Sequence, residues 1–185
     1  MLTVGLVVEG FYDEAAIGEL VQKCASSEVK VICRRCGPAP QLMKKFPGFL
    51  EEFKRAKDGS PVDKAIVIRD ADRKNPDDLI RIMQSKIASR SYLFVPHFLV
   101  IVNELEAWLL ADEAAISSVT GKPQKPVSTP ENLNDPKRRL QMLLSDAQIT
   151  YTAEKAKGIA AAARPDILAA RCPSFKRFQE AVIDC

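Results

Sequence analysis

Strand-like and helix-like patterns of apolar residues alternate through the first two-thirds of the chain. Apolar runs predict four strands, at residues 2–8, 29–33, 64–69 and 98–102. The first run is apolar almost throughout and rich in valine, which is typical of a strand buried on both faces. Repeated strand–helix–strand units favour parallel strands joined by right-handed crossovers. The sequence therefore predicts an α/β fold.

Helical periodicity fills the segments between and after these strands. It predicts a first helix after Gly10, with an inner stripe that includes Ala16 and Leu20. Further helices are predicted at residues 42–53 (interrupted at Pro47), 76–88, 103–112, 137–144, 153–163 and 174–182. Lysine, proline, serine and threonine dominate residues 120–136, which predicts a long loop. We therefore expect an α/β domain at residues 1–119, with a loop and helical extension at residues 120–185 packed on it as one structural unit.

Acidic residues follow the first and third predicted strands. Glu9 directly follows the first strand, with Asp13 about one helical turn further on, and Asp70 and Asp72 follow the third. Ligands of parallel sheets bind beyond the carboxyl ends of the strands. In extended chain, residues two apart point the same way, so Asp70 and Asp72 are expected to face one site, and Gly10 to let the backbone turn tightly beside it. The acids meet only if strands one and three are neighbours, which predicts a three-layer α/β/α domain with a mainly parallel four-stranded sheet in the order 2-1-3-4, plus the C-terminal helical part.

Four carboxylates that converge on one place repel each other, and a hard cation relieves that repulsion. Mg²⁺ and Mn²⁺ suit such oxygen ligands. Taken alone, Asp13 is explained as a first-turn acid favoured by the helix dipole, and Asp70 and Asp72 as a solvated turn. The two strand-end motifs together favour a Mg²⁺ or Mn²⁺ site formed by Glu9, Asp13, Asp70 and Asp72.

Two of these segments resemble a known domain. The strand–EGxxD–helix segment at residues 7–13 and the strand–DxD segment at residues 66–72 look like the Toprim domain, the metal-binding fold of topoisomerases, primases and overcoming-lysogenization-defect nucleases. The stretch ELEAWLLAD at residues 104–112 is similar to a signature of a small Toprim-like family related to those nucleases. Two later segments, DPKRRL at residues 135–140 and CPSF at residues 172–175, also resemble segments of that family. The resemblance therefore covers nearly the whole chain.

The resemblance implies roles for individual residues. Glu9 matches the glutamate that assists proton transfer or holds a metal, Asp70 and Asp72 match the metal-binding pair, and together these three are the catalytic candidates. Asp13 matches the second acid of the nuclease-type motif. The family's tyrosine–lysine segment is matched only loosely, by Tyr151, Lys155 and Lys157.

Glu106 is the glutamate of the EAW motif, and the resemblance implies that it is a further metal ligand. From the residues alone, Asn103 and Glu106 also have the spacing of a helix-capping box, and the two readings are compatible. Glu104 and Glu106 are two apart on a predicted helix, so we expect only one of them to face the metal.

Charge adds a second feature to the predicted site. The chain has 27 basic and 24 acidic residues, a net charge of +3, which does not by itself indicate nucleic-acid binding. Basic residues nevertheless follow the acidic motifs, and they are the candidates for binding nucleic acid: Arg73, Lys74, Lys137, Arg138, Arg139, Lys155 and Lys157. A basic rim around an acidic metal centre attracts a polyanion and leaves the metal free. For any one group, a solvated surface explains the charge equally well.

The cysteines argue against a zinc site, and the N-terminus and the short apolar runs argue against a secreted or membrane protein. Cys33 and Cys36 form a CxxC pair, but a structural zinc needs four ligands, and neither the other three cysteines (Cys24, Cys172, Cys185) nor the single histidine has matching spacing. We expect reduced thiols and no zinc. The N-terminus lacks a basic region, and the apolar runs are too short to cross a bilayer, so we expect a cytoplasmic protein without a membrane partner.

The leading function is therefore Mg²⁺- or Mn²⁺-dependent phosphodiester chemistry on nucleic acid, with cleavage as the reaction. One alternative is a non-catalytic Toprim-like partner in a phage-defence or toxin–antitoxin system. Another is an aspartate-based phosphatase or phosphoreceiver, which the residues after Asp72 and after the fourth strand disfavour. The sequence leaves open whether the substrate is DNA or RNA, and the oligomeric state.

Overall fold

The computed structural model describes residues 1–183 and contains one four-stranded sheet. The strands are β1 (Leu2–Val8), β2 (Val29–Arg35), β3 (Lys64–Asp70) and β4 (Val95–Ile101). All neighbouring strands are parallel, and their order is β2-β1-β3-β4. The predicted strand order is therefore confirmed. Cys185 lies outside the described residues.

Helices cover both faces of the sheet. They are α1 (Phe11–Cys24), α2 (Ala39–Phe53), α3 (Pro76–Ser85), α4 (Leu105–Leu109), α5 (Glu113–Thr120), α6 (Pro136–Asp146), α7 (Ala153–Ala162), α8 (Pro165–Arg171) and α9 (Pro173–Ile183), with a 3-10 turn at Pro130–Asn132. α2 and α3 pack on one face, where Val7 and Val67 point. α1 and the later helices pack on the other face, against Leu6 and Ile66. This is the predicted three-layer α/β/α arrangement with a C-terminal helical part.

The C-terminal helices share the larger of the two cores. α7 packs along α1, and α9 packs against β4. The fully buried Asp112 caps α5 through Ala114 N–H and also accepts three hydrogen bonds of 2.8–2.9 Å from Arg164, at the junction of α7 and α8. Residues on both sides of position 119 are thus tied together by packing and by an ion pair whose carboxylate is buried.

Three predicted elements differ from the structure. α2 continues through Pro47, because Phe46 and Leu50 on either side of it are completely buried against the sheet and their packing outweighs the lost backbone hydrogen bond. The helix predicted at residues 103–112 is the shorter α4, and α5, which the Asp112 side chain caps, begins only after that range. α8 is a short helix that was not predicted.

Gly5 lies at the centre of β1, where the sheet and α2 approach closely. A β-carbon at this position would lie 2.6 Å from the ring of Phe53, which is itself fully buried. A larger residue would force the ring and α2 away from the sheet. Gly5 therefore sets the distance between these two layers.

Among residues 1–183, no helix is both long enough and apolar enough to cross a membrane.

Candidate metal centre

A cleft lies at the carboxyl ends of β1 and β3. Because the two strands are adjacent and parallel, Glu9 and Asp70 leave the sheet at the same edge, and the Asp70 N–H donates to Glu9 Oε1 at 3.2 Å. The cleft has a volume of about 480 Å³. Its acidic lining residues are Glu9, Asp13, Asp70, Glu104 and Glu106. The fold thus brings four of the five predicted metal ligands, all except Asp72, to one cavity.

Asp13 lies in the first turn of α1 and faces the cleft. Its Oδ2 accepts the Gly10 N–H at 2.8 Å, which fixes the start of the helix. Burial, helped by the charge of the neighbouring Glu106, raises the pKa of Asp13 to about 6, although the hydrogen bond from the Gly10 N–H opposes this. Gly10 itself is extended, and a β-carbon there would make only an ordinary contact at 3.6 Å. The expectation that glycine is needed here for a tight turn was wrong; the backbone N–H is what the position supplies.

Asp70 ends β3, and its Oδ1 atom is buried without a hydrogen-bond partner among the described residues. Burial raises the pKa of its carboxyl well above the usual range, and the charges of Asp13 and Glu9 raise it further. Burial likewise raises the pKa of Glu9, although the Asp70 N–H opposes this. Ionised carboxylates are therefore costly in this cleft when nothing positive lies between them.

Glu104 and Glu106 both line the cleft. α4 begins only at Leu105, so Glu104 is the extended residue before the helix rather than part of it. The expectation that only one of them could face the site was wrong for this reason. Asn103 has a left-handed backbone (φ +70°) and does not cap α4, so the predicted capping box is not formed.

Glu106 is 3% exposed and is held by two side chains. The Tyr151 hydroxyl donates to Glu106 Oε1 at 3.0 Å, and Lys137 Nζ lies 3.5 Å from the same oxygen. Lys137 also lines the cleft, and its backbone N–H donates to Glu104 at 2.8 Å. Although burial opposes it, the charge of Glu106 keeps the pKa of Lys137 above its usual value, so this lysine is a cation beside the acids.

Asp72 does not line this cleft. The extended chain ends at Asp70, and Asp72 has a left-handed backbone (φ +49°), so the premise that residues 70 and 72 point the same way does not hold. The Asp72 carboxylate is largely exposed, accepts a 3.1 Å hydrogen bond from the buried Arg69, and lies in a neighbouring depression beside Arg73 and Glu104. Its role as a metal ligand stays a prediction.

The oxygen atoms of these carboxylates are the type of ligand that a hard cation prefers, but the carboxylates lie too far apart to share one ion in this structure. Among residues 1–183, no three acidic, histidine or cysteine side chains are close enough together to hold a metal ion. Glu9 and Asp13 each accept a backbone N–H, whereas one oxygen of Asp70 is buried without a partner. Glu9 and Asp13 each keep one oxygen that accepts no backbone N–H, and that oxygen can bind a cation shared with Asp70 if the side chains move closer together.

The predicted basic residues are distributed around the cleft rather than gathered within it. Lys137 is in the cleft wall, and Arg73 lies in the neighbouring depression, where it donates to the carbonyl of Asn134. Lys74, Arg138 and Arg139 are exposed, and Lys155 is half-buried in the first turn of α7. Lys157 lies across α1 from the cleft, 3.9 Å from Glu19. The cleft lining also includes Phe11 and Arg35, which were not predicted as site residues.

Cys33 and Cys36 lie at the end of β2 and just after it, and no disulfide joins them. Burial raises the pKa of Cys33 to about 12 and that of Cys36 to about 11. Both thiols are therefore protonated at neutral pH, which disfavours metal binding and redox chemistry. The absence of zinc stays a prediction.

Comparison with known proteins places the chain in a family. Residues 8–183 match the family described as "Domain of unknown function (DUF4276)", and the chain belongs to it. No curated protein matches the chain. The structure is similar to that of the "C-terminal region of the Burkholderia pseudomallei OLD protein", with a TM-score of 0.51 and 15% sequence identity over 98% of this chain and 99% of that one. At this identity the likeness concerns the fold.

Proposed function

We propose that this protein hydrolyses phosphodiester bonds in nucleic acid with the help of Mg²⁺ or Mn²⁺ bound in the acidic cleft. The observation that carries the proposal is Asp70, whose Oδ1 is buried without a partner in a cavity shared with Glu9, Asp13 and Glu106. An unsatisfied buried acceptor costs about 1–3 kcal/mol, and more when it is charged. A divalent cation offsets that cost and the mutual repulsion of the acids together.

Glu9, Asp13 and Asp70 are the residues that would hold the cation, with Glu106 and Asp72 as further ligands. A bound divalent cation polarises the phosphate and lowers the pKa of an attacking water. Glu9 has a raised pKa, which suits a carboxyl that accepts a proton from water near neutral pH. Lys137 places a cation in the cleft wall, where it can bind a phosphate oxygen.

Two further features support nucleic acid as the substrate. Arg73, Lys74, Arg138 and Arg139 are exposed near the cleft and can bind the phosphate backbone without occupying the metal site. The fold likeness to the OLD protein region agrees with the resemblance of the EGxxD and DxD segments to overcoming-lysogenization-defect nucleases. Folds host several chemistries, so the acidic cleft carries more weight than the likeness.

The test is cleavage of plasmid, single-stranded DNA and RNA with Mg²⁺ or Mn²⁺. Asp70→Asn and Glu9→Gln should each lower the cleavage rate by about 100-fold or more, because they remove transition-state stabilisation. Their affinity for nucleic acid should be unchanged or tighter, since negative charge is lost. Glu180→Gln, an exposed acid on α9, is the matched control and should cleave like the wild type.

Arginine substitutions separate binding from chemistry. Joint replacement of Arg138 and Arg139 by alanine should weaken binding and flatten its dependence on salt concentration, without loss of the metal requirement. The proposal is contradicted if pure wild-type protein cleaves none of the three substrates, or if Asp70→Asn cleaves at the wild-type rate.

A non-catalytic partner protein is the second candidate. The observation in its favour is that Glu106 is already held by Tyr151 and Lys137, and that Glu9 and Asp13 are engaged with backbone N–H groups. Such a protein would bind Mn²⁺ and change conformation but cleave nothing. Metal-dependent stabilisation without any cleavage would favour this candidate.

A further inference from the structure

Phe11 is an exposed aromatic ring at the rim of the acidic cleft. It is the first residue of α1, and 66% of its surface is exposed. The other phenylalanines and the tyrosines among residues 1–183 are buried or half-buried. Single exposed apolar residues are common, but this one lines the acidic cleft, so it is a candidate contact for a ligand bound there.

The ring is held in a fixed position relative to the acids. Phe11 follows Glu9 and Gly10 directly, and the Asp13 carboxylate fixes the Gly10 N–H. Phe11 therefore cannot move far without breaking the start of α1.

Arg35, at the end of the neighbouring strand β2, covers one face of this ring. Its guanidinium carbon lies over the ring, 3.7 Å from the ring centroid, and the rest of the ring stays open to solvent. The Arg35 Nε lies 2.8 Å from Glu14 Oε2, so an ion pair also holds the guanidinium. Both Phe11 and Arg35 line the cleft that contains Glu9 and Asp70.

Nucleobases stack on aromatic rings and on arginine planes, and here the arginine backs the ring and leaves the ring's other face for a base. A base inside a duplex has both faces covered by its neighbours, so this surface favours a base that is unpaired. We infer that Phe11 and Arg35 form a stacking platform for an unpaired nucleobase next to the reacting phosphate. This inference rests on the proposed function and assigns its substrate class: single-stranded or locally unpaired nucleic acid.

The space on either side of the ring suits a strand that passes over it. The acidic cleft, at about 480 Å³, is within the size range of pockets for small ligands. Phe11 also lines a second groove, of about 510 Å³, which runs along α1 past Gln22 to Lys157. The ring thus stands between two grooves. One contains the carboxylates, and the other offers Gln22 and the exposed Lys157, beside Glu14 and Glu19, for contact with a neighbouring nucleotide.

The first test is binding without cleavage. Fluorescence anisotropy in the presence of a chelator would measure the affinity for three labelled ligands: a dT 20-mer, an rU 20-mer and a blunt duplex. Comparison of the two single strands shows whether the protein prefers DNA or RNA. Phe11→Ala should weaken single-strand binding by about 5- to 100-fold, the range for loss of one stacked base, and change duplex binding by less than about twofold. Leu93→Ala removes a 90% exposed side chain before β4, at the opposite end of the sheet, and should bind like the wild type.

A second variant reports stacking directly. The chain has one tryptophan, Trp108, which is 1% exposed, so Phe11→Trp adds the single exposed indole. Its fluorescence should be quenched by the dT 20-mer but not by an abasic strand of equal length. The inference is overturned if Phe11→Ala binds single strands as the wild type does, or if the added indole shows no base-dependent quenching.

These outcomes are independent of the proposed hydrolysis. Base-dependent quenching without Mn²⁺-dependent cleavage would uphold the stacking platform and contradict the nuclease. Cleavage that is unaffected by Phe11→Ala, with unchanged single-strand affinity, would overturn the platform and leave the nuclease in place.

Discussion

Asp70→Asn should stabilise the protein in the absence of divalent cations. The substitution keeps the shape of the side chain but removes the charge of the carboxylate, whose Oδ1 atom is buried without a hydrogen-bond partner among the described residues. It also gives the cleft an amide that can donate to Glu9 or Asp13. An unsatisfied buried acceptor costs about 1–3 kcal/mol, so the free energy of unfolding should rise by about that amount at pH 8. For a chain of this length, each kcal/mol corresponds to about 2–4 °C in Tm.

The stabilisation should depend on pH with a defined sign. Burial, together with Asp13 and Glu9, places the pKa of folded Asp70 above that of the unfolded chain. The folded state therefore binds the proton more tightly, and wild-type stability falls as pH rises from about 4 through the raised pKa. Asn has no such titration, so the stability difference between Asp70→Asn and wild type should grow with pH.

Manganese should reverse the ranking. A ligand that binds only the native state at 100 times its dissociation constant stabilises by about 2.7 kcal/mol. The wild type should gain that stabilisation, and Asp70→Asn should gain much less. The assay is thermal and urea unfolding at pH 5 and pH 8, with chelator and with Mn²⁺, and Glu180→Gln as the exposed control. Equal stability of Asp70→Asn and wild type in chelator, or equal shifts with Mn²⁺, would refute the reasoning.

Three other predictions concern the scaffold. Burial raises the pKa of Asp112, but the hydrogen bonds from Arg164 outweigh that effect and lower the pKa to about 2. The wild type should therefore lose stability faster than Asp112→Asn as pH falls from about 4 to 2. Parallel acid unfolding curves of the two proteins would contradict this prediction. Gly5→Ala should lower the free energy of unfolding in urea by roughly 1–3 kcal/mol, because the added β-carbon overlaps a buried ring. Gly48→Ala in α2 has open space around it and should be neutral or stabilising. Equal effects of the two substitutions would refute this prediction. Elemental analysis should find no stoichiometric zinc, and one zinc per chain that disappears in Cys33→Ser would overturn that expectation.

The sheet could be predicted because its strands are strongly patterned and its acids mark two strand ends. Glu9 and Asp70 can share a site only if strands one and three are neighbours. The order 2-1-3-4 satisfies this condition, and it is observed. The cleft that contains Glu9, Asp13, Asp70 and Glu106 follows from this topology. The acids at the strand ends and the rule that parallel sheets bind ligands at the carboxyl ends of their strands both point to this cleft. Positions where local sequence and topology agree in this way are predicted well from sequence.

The remaining site residues depend on local backbone geometry that periodicity does not encode. Glu104 joins the cleft because α4 starts two residues later than the predicted helix, and Asp72 lies outside the cleft because its backbone is left-handed after β3. Phe11 gave no signal in the sequence, since an apolar residue at the start of a helix is expected to be buried. Only the packing of Arg35 from the adjacent strand shows that the ring stays exposed at the cleft rim.

The most direct test of the metal centre is a crystal structure of the protein soaked in Mn²⁺, with an anomalous difference map. We expect one or two peaks in the cleft at the carboxyl ends of β1 and β3, within about 2.5 Å of carboxylate oxygens from Asp70 and at least one of Glu9 and Asp13. The same soak of Asp70→Asn crystals should show weak peaks or none. A wild-type map without a peak in this cleft, or with Mn²⁺ bound only at acids elsewhere on the surface, would contradict the central claim.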